Sequence, residues 1–179
     1  MLTVNSRTIK YDHIHYKWGY ELEDGSPRYE WFKLGLDFAQ ETQSELARNY
    51  PSPNSLSVQD EDLCKRLTID YLTALRKHAE SKIRSHLFLE RIPIEYIITV
   101  PAVWSDTAMS RTFACARAAG MGDEDTLQII SEPEAAGIYA LENFDSQDLE
   151  IGDTFVVCDA GGGYDAFTLS RTAIDLSPN

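Results

Sequence analysis

Hydrophobic and polar positions follow two different periods along the middle of the chain. Residues 63, 67, 71, 75 and 79 are aliphatic or aromatic at intervals of four, which predicts a helix over about 58–88. Beyond it, short β-branched runs alternate with segments of helical spacing. These patterns predict strands near 94–100, 126–131 and 154–158, and helices near 105–119 and 133–142. Strands alternating with helices in this way are typical of an α/β layer architecture with a largely parallel sheet.

Local signals set the ends of these elements. Ser105 can cap the second helix, Gly120 is suited to end it, and Pro133 is suited to the first turn of the third. Residues 40–60 are polar and rich in proline, which indicates a loop. The first helix carries basic residues near its end, and we expect these to form a solvated face: Arg76, Lys77, Lys82 and Arg84.

Length and charge narrow the classes of function. The chain has 179 residues, 43% of them hydrophobic, which fits a folded globular domain. Sixteen basic and 29 acidic residues give a net charge of −13, which disfavours nucleic acid and anionic membranes as partners. The first ten residues lack the apolar core of a secretory signal, and no uncharged apolar run is long enough to span a membrane. We therefore expect a cytoplasmic protein.

The spacing of the cysteines and histidines does not indicate a redox or metal site. Cys64, Cys115 and Cys158 are widely separated and form no CxxC pair, so we interpret them as reduced thiols of the core. His13 and His15 would share one face of a strand, but no third ligand stands near them in the sequence. A zinc site is therefore not predicted.

A run of glycines follows the last predicted strand, in the segment Cys158-Asp-Ala-Gly-Gly-Gly163. Backbone amides after a buried strand can cradle phosphate. The segment is neither a Walker loop nor a GxGxxG motif, because no Lys-Ser/Thr follows and Tyr164 and Ala166 fill the later positions. Apolar and polar residues alternate again over 167–170, so the pattern is strand, glycine turn, strand. A plain β-hairpin that uses glycine for its backbone freedom explains the same residues equally well.

Two carboxylates stand at the ends of predicted strands. Asp159 lies at the mouth of the glycine turn, where Mg²⁺ carried by a polyphosphate is a suitable partner. Glu132 ends the second strand, at the sheet edge where open parallel sheets bind ligands. Glu132 can equally be an acid stabilised by the dipole of the helix that follows it.

The order of four motifs resembles the nucleotide-binding domain of the heat-shock protein 70 family. The motifs are Ile97-Ile-Thr-Val-Pro-Ala102, residues 116–120, Ile129-Ile-Ser-Glu-Pro-Glu-Ala-Ala136 and Val156-Val-Cys-Asp-Ala-Gly-Gly-Gly163. Trp18-Gly-Tyr-Glu21 and Tyr29-Glu-Trp-Phe-Lys33 are similar to a divergent eukaryotic branch of that family. The resemblance implies a partial actin-like ATPase (ribonuclease H-like) lobe, with a mixed and mainly parallel sheet, helices and a terminal β-hairpin.

The same resemblance implies a site for ATP or ADP with Mg²⁺. Lys33 would match the lysine that steadies the γ-phosphate, and Glu132 the glutamate that acts near the attacking water. Asp159 would match the aspartate that reaches Mg²⁺ through water. The phosphate-loop positions are Gly161, Gly162, Gly163 and Tyr164. Such a site works by positioning and charge neutralisation, without a covalent step on the protein.

The chain also departs from the family's pattern. It contains no Asp-x-Gly-Thr-Thr, the family's first phosphate loop, and it ends at Asn179, before the second lobe and its adenosine-binding motif. Tyr164 replaces a threonine, and Ala166 stands where the family has an aspartate, with Asp165 one place early. That one-residue slip moves a carboxylate to the opposite face of a strand.

These features predict three segments. Residues 1–57 resemble the peripheral part of lobe one, 58–145 its α/β core, and 146–179 the second phosphate-loop hairpin that begins lobe two. The function expected is that of a chaperone-type ATP-binding fragment that is inactive in catalysis by itself and binds nucleotide weakly. Alternatives are a non-enzymatic interaction module, a truncated product without independent function, and a hydrolase that uses Glu132 and Asp159 as an acid/base pair. An open edge at strand 94–100 would favour a protein partner or self-association.

Overall fold

The computed structural model is a mixed α/β fold. It describes residues 2–3, 17–18, 21–37, 54–56, 60–87, 93–143, 154–160 and 165–171. The strands are β1 Leu2–Thr3, β2 Lys17–Trp18, β3 Arg28–Tyr29, β4 Ser55–Leu56, β5 Tyr96–Val100, β6 Leu127–Ser131, β7 Thr154–Ala160 and β8 Asp165–Arg171. The helices are a 3₁₀ helix Phe32–Leu36, α1 Glu61–Leu87, α2 Asp106–Ala118 and α3 Glu132–Asn143.

The elements predicted from the sequence are confirmed in type and in order. Helix α1 begins three residues later and ends one residue earlier than expected, and α2 differs from its prediction by one residue at each end. Helix α3 begins at Glu132 because Pro133 occupies the first turn, where its missing N–H costs nothing. Strand β5 starts two residues later than expected, and β7 runs two residues further.

The described part of the chain forms two compact units. The first contains the described residues of Met1–Tyr96 and Ser105–Gln128, and the second those of Ile97–Trp104 and Ile129–Asn179. The three segments expected from the sequence, 1–57, 58–145 and 146–179, remain a prediction.

The first unit contains a small sheet of two-residue strands in the order β2-β1-β3-β4. Strand β1 is antiparallel to β2 and to β3, and β3 is parallel to β4. Phe32 of the 3₁₀ helix and Leu67 of α1 are buried together beside this sheet, and partly buried residues pack around them: Trp18, Tyr29, Leu63 and Tyr71. The ring of Tyr71 meets those of Trp18 and Phe32 edge to face. The predicted apolar stripe of α1 therefore supplies part of the core.

Helix α1 begins on an acidic turn, in which the Asp60 carboxylate accepts a hydrogen bond from the Asp62 amide at 3.0 Å. Its basic end is only partly the solvated face expected from the sequence. Lys77 and Lys82 are exposed, but Arg76 is half-buried because its guanidinium donates to the Ala119 carbonyl at 2.9 Å, at the end of α2. The expectation for Arg76 was wrong because a tertiary contact outweighs hydration of the side chain.

Helix α2 has both of its predicted ends. The Ser105 hydroxyl accepts from the Ala108 amide at 3.2 Å, as an N-cap does. At the other end Gly120 has a φ of 81°, its amide donates to the Arg117 carbonyl, and the Met121 amide donates to the Ala116 carbonyl. These two bonds form a Schellman motif, which requires the left-handed backbone that glycine adopts without strain.

Two further strand pairs complete the described structure. β5 and β6 are hydrogen-bonded neighbours, and the Tyr96 amide at the start of β5 donates to the Thr126 carbonyl just before β6. Both strands begin at the same end of the pair and therefore run parallel. β7 and β8 are antiparallel, with Thr154 opposite Arg171 and Ala160 opposite Asp165. Helix α3 contacts both β7 and β8.

Candidate functional site

The junction between β6 and α3 carries the first candidate carboxylate. Ser131, the last residue of β6, and Glu134 exchange two hydrogen bonds. The Glu134 amide donates to Ser131 Oγ at 3.2 Å, and the Ser131 amide donates to Glu134 Oε2 at 3.3 Å. This reciprocal pair is a capping box, with Ser131 as the N-cap of α3.

The capping box separates the roles of the two acids in the Glu-Pro-Glu segment. Glu134 provides the cap, and Glu132 takes no part in those two bonds. Glu132 is half-buried and is the first residue of α3, directly after the carboxyl end of β6. It therefore lies at the strand end where its sequence position placed it. The dipole of α3 also favours a negative charge there, so both interpretations of Glu132 remain open.

The register of β7 and β8 places the second candidate carboxylate. Asp159 is opposite Ala166, and Ala160 is opposite Asp165. Because faces alternate along a strand, positions 159 and 166 share one face of this pair, and position 165 lies on the other. That the Asp165 carboxylate itself lies on the opposite face stays a prediction.

The glycine turn itself lies between these two strands. Gly161, Gly162, Gly163 and Tyr164, which we expected to line a phosphate loop, lie outside the described residues. The strand pairing continues without interruption to Ala160 and Asp165, so residues 161–164 connect the two strands.

The three candidate catalytic residues divide between the two units. Glu132 and Asp159 belong to the same unit, in which α3, the helix that begins at Glu132, contacts both β7 and β8. Lys33 belongs to the other unit and lies exposed in the 3₁₀ helix. The helix follows Trp31, whose φ of 60° is unusual for a bulky residue. The structure thus groups two of the three candidates.

A buried carboxylate that sequence reasoning did not find lies in the first unit. Asp37 is only 3% exposed and accepts hydrogen bonds from the Ser105 amide at 3.3 Å and from the Ser105 hydroxyl at 3.1 Å. Arg111 of α2 donates to the adjacent Leu36 carbonyl at 3.0 Å. Asp37 thus joins the end of the 3₁₀ helix to the cap of α2, a structural task. No sequence signal marks it, because its partner lies 68 positions away.

Thiols and metal ligands add no further site within the described residues. Cys64 and Cys115 are buried free thiols, as expected, and burial raises the pKa of the Cys115 thiol, which keeps it protonated. The side chain of Cys158, as well as His13 and His15, lies outside the described residues. In the ranges that the structure describes, no three histidine, cysteine or acidic residues form a group that could hold a metal ion. None of the described helices is long and apolar enough to cross a membrane.

Comparisons with known proteins point to Hsp70-family chaperones. The chain is 36% identical over 98 residues to an HscA homolog of Laribacter hongkongensis, which covers 54% of this chain and 13% of that protein. It is 33% identical over 113 residues to the chaperone protein DnaK of Stenotrophomonas maltophilia, with coverages of 62% and 16%. It is also 33% identical over 108 residues to an HscA homolog of Neisseria meningitidis serogroup B, with coverages of 59% and 15%.

The similarity covers part of this chain and a small part of each relative. The chain spans 13 to 16% of the length of these three curated relatives, and the similarity extends over somewhat more than half of the chain. No family model matches the sequence, and no solved structure matches the fold. The chain is therefore Hsp70-like over this part.

Proposed function

We propose that this chain is an Hsp70-like segment that contacts the phosphates and Mg²⁺ of ATP or ADP. The observation that carries the proposal is the position of Glu132 at the carboxyl end of β6, in the same unit as the Asp159 strand pair. Similarity to HscA and DnaK supports it. The relevant sheet edge is the one where α/β proteins bind nucleotides.

The chemistry of the donors suits a hydrated magnesium ion. Mg²⁺ prefers oxygen ligands and keeps several waters, so one or two carboxylates and the phosphates of a nucleotide are enough to hold it. Asp159 would hold the ion through water, and the amides of Gly161, Gly162 and Gly163 would face phosphate oxygens, with Tyr164 in the place of the family's threonine. Glu132 would orient a water molecule, and Lys33 would add positive charge at the γ-phosphate.

We expect nucleotide binding by this chain to be weak and turnover to be absent. The sequence holds one glycine-rich phosphate loop, no Asp-x-Gly-Thr-Thr segment and no adenosine-binding motif, so few groups would contact the nucleotide. Ala166, opposite Asp159 in the ladder, supplies no carboxylate where the family has one. A single loop and a single magnesium-directed acid correspond to a dissociation constant of roughly 1 mM or weaker, about 4 kcal/mol of binding free energy.

The finer assignments are part of the same proposal. We assign the architecture to an incomplete actin-like ATPase lobe, a description with which the α-helices and the short parallel strand pairs of the described residues are compatible. We also propose that the chain is cytoplasmic. Because of the segments Trp18-Gly-Tyr-Glu21 and Tyr29-Glu-Trp-Phe-Lys33, we assign it to a divergent eukaryotic branch of the family.

A titration of the purified chain with Mg-ATP, followed by calorimetry and by NMR, tests the proposal. We expect weak saturable binding that Asp159→Asn reduces several-fold. Asp165→Asn is the matched control, because it removes the same charge from the same strand pair but on the opposite face. Equal losses in the two variants would contradict the role of Asp159, and a micromolar dissociation constant would contradict the expected weakness.

A second pair of variants tests Glu132. Glu132→Gln should weaken the Mg²⁺ dependence of nucleotide binding and leave the unfolding free energy within about 0.5 kcal/mol of the wild type. Glu134→Gln keeps a capping oxygen and should change neither property. If both variants behave alike in the titration, Glu132 acts only as a helix-terminal acid.

An interaction module is the second candidate function, and one observation favours it. Ile97 of β5 is 63% exposed, although it lies in the middle of an apolar strand. An exposed apolar strand in a two-stranded sheet is a common site of protein association.

A further inference from the structure

Strand β5 has an open side in the part of the chain that the structure describes. β5 and β6 form a two-stranded sheet, and no third described strand joins it. Two strands are marginal in water, and an edge strand presents amides and carbonyls that can pair with another strand. The open side of β5 is therefore a candidate surface for strand addition.

The hydrogen bond at the start of β5 identifies which backbone groups point to the open side. The Tyr96 amide donates to the Thr126 carbonyl at 2.8 Å, so the polar groups of Tyr96 point towards β6. Successive residues of a strand turn their N–H and C=O groups to opposite sides. Ile98 and Val100 therefore also face β6, and Ile97 and Thr99 direct their amides and carbonyls outwards.

The side chains of the same two residues are accessible. Ile97 is 63% exposed and Thr99 is exposed, whereas Tyr96 and Ile98 are half-buried and Val100 is buried. One face of β5 is thus covered, and the other carries an isoleucine and a β-branched threonine, both of which favour strand pairing. The outward backbone groups and the exposed side chains belong to the same residues.

The charge pattern favours a second copy of this chain as the partner. The nine residues 96–104 carry no charge, in a chain whose net charge is −13. In an antiparallel pair of β5 strands centred on Ile98, Ile97 of one copy lies opposite Thr99 of the other. Glu95 then lies opposite Pro101, so the two Glu95 side chains do not meet. Two acidic copies can therefore join at β5 without placing like charges opposite each other.

We propose that two copies of this chain associate through β5, as an antiparallel strand pair about a two-fold axis at Ile98. Each Ile97 and Thr99 pair exchanges two backbone hydrogen bonds, and the symmetry provides that pair twice. A strand contact of this length buries far less than the roughly 1,600 Å² of a standard stable interface. The dimer is consequently weak and concentration-dependent, and it does not require nucleotide.

Two double variants that differ at one position test the register. Ile97→Lys with Thr99→Glu places opposite charges across the pair, and Ile97→Lys with Thr99→Lys places like charges there. Sedimentation equilibrium of the wild type should show a monomer that shifts towards dimer over about three decades of concentration. The Lys/Glu variant should still dimerise, and the Lys/Lys variant should lose at least about ten-fold in dimer affinity, about 1.4 kcal/mol.

The single variant Val103→Lys serves as the control outside the strand. Val103 is exposed to a similar degree in the turn after β5, so the added charge should leave the dimer affinity unchanged. A wild type that stays monomeric over the whole range would overturn the proposal. So would equal affinities of the Lys/Glu and Lys/Lys variants, because association would then use another surface or another register.

Hydrogen exchange of the wild type tests the same register without any substitution. Raising the protein concentration should slow exchange at the amides of Ile97 and Thr99, which the second copy would bond, and leave Ile98, which already faces β6, unchanged. Uniform slowing along β5, or none, would contradict strand pairing at this edge.

Discussion

Replacement of Ser105 by alanine should destabilise the first unit more than any ordinary cap mutation. The Ser105 hydroxyl accepts from the Ala108 amide at 3.2 Å and donates to the Asp37 carboxylate at 3.1 Å. Ser105→Ala thus removes the cap of α2 and also one of the two Ser105 groups that donate to the Asp37 carboxylate, which is 3% exposed. Ser110→Ala, at an exposed position of the same helix, is the matched control.

The magnitude follows from the two lost bonds. Loss of an N-cap costs about 1 kcal/mol, and loss of a hydrogen bond to a buried charged group costs about 1.5–3 kcal/mol. Ser105→Ala should therefore lower the free energy of unfolding by roughly 2–4 kcal/mol. Ser110→Ala removes an exposed hydroxyl and inserts a better helix former, so its effect should stay within about 0.5 kcal/mol.

A double-mutant cycle separates the two contributions. In Asp37→Ala the carboxylate is gone, so the further change Ser105→Ala should cost only the lost cap. The double variant should then lose about 1.5–3 kcal/mol less stability than the sum of the two single effects. Urea unfolding followed by far-ultraviolet circular dichroism measures all three variants. Additive effects, or a Ser105→Ala variant as stable as Ser110→Ala, would refute the reasoning.

Four more variants test three features elsewhere in the chain. Burial and a 2.5 Å hydrogen bond to the Glu80 carboxylate raise the pKa of Tyr96 to about 12. The protonated Tyr96 phenol therefore stabilises the fold fully below about pH 10, and this stabilisation is lost as the pH rises from 10 towards 12. Tyr96→Phe should show a smaller loss of stability than the wild type over that range, measured by urea midpoints, and parallel curves would contradict it. Gly120→Ala should lower the free energy of unfolding by about 1–2 kcal/mol in the same assay, because alanine is strained at a φ of 81°. An unchanged urea midpoint would show that the turn relaxes to accept alanine. Glu134→Ala should lower the free energy of unfolding by about 1 kcal/mol, because the Ser131 amide loses its hydrogen bond to the Glu134 carboxylate, whereas Glu134→Gln should retain most of this stability. Equal losses in the two variants would exclude the capping box.

The local elements were predictable from the sequence because their signals are local. The ends of α2 illustrate this. Ser105 supplies a capping oxygen within three residues of its donor, and Gly120 adopts a backbone conformation that other residues resist. The Ser131 and Glu134 box has the same short range. The position of Glu132 directly after β6 was predictable for the same reason, whereas β7 continues through Asp159 to Ala160 instead of ending before it.

The long-range contacts could not be predicted. Arg76 has the sequence context of a solvated basic face, yet it donates to the Ala119 carbonyl 43 residues away. Asp37 lies in a segment with no acidic pattern and reaches Ser105 across 68 residues. The single sequence contains no information on which polar side chain will be buried, because burial depends on which elements meet.

The sequence by itself determined the type and order of helices α1, α2 and α3 and of strands β5 to β8, both ends of α2, and the position of Glu132 directly after β6. These depend on residues within about one turn or one strand of each other. Only the tertiary structure decided that Arg76 and Asp37 anchor α2 and that Ile97 and Thr99 face outwards from β5. The physical reason is that the hydrogen-bond partner of a buried polar group depends on which distant segments pack against it. Whether a strand has an open edge likewise depends on which other strands lie beside it.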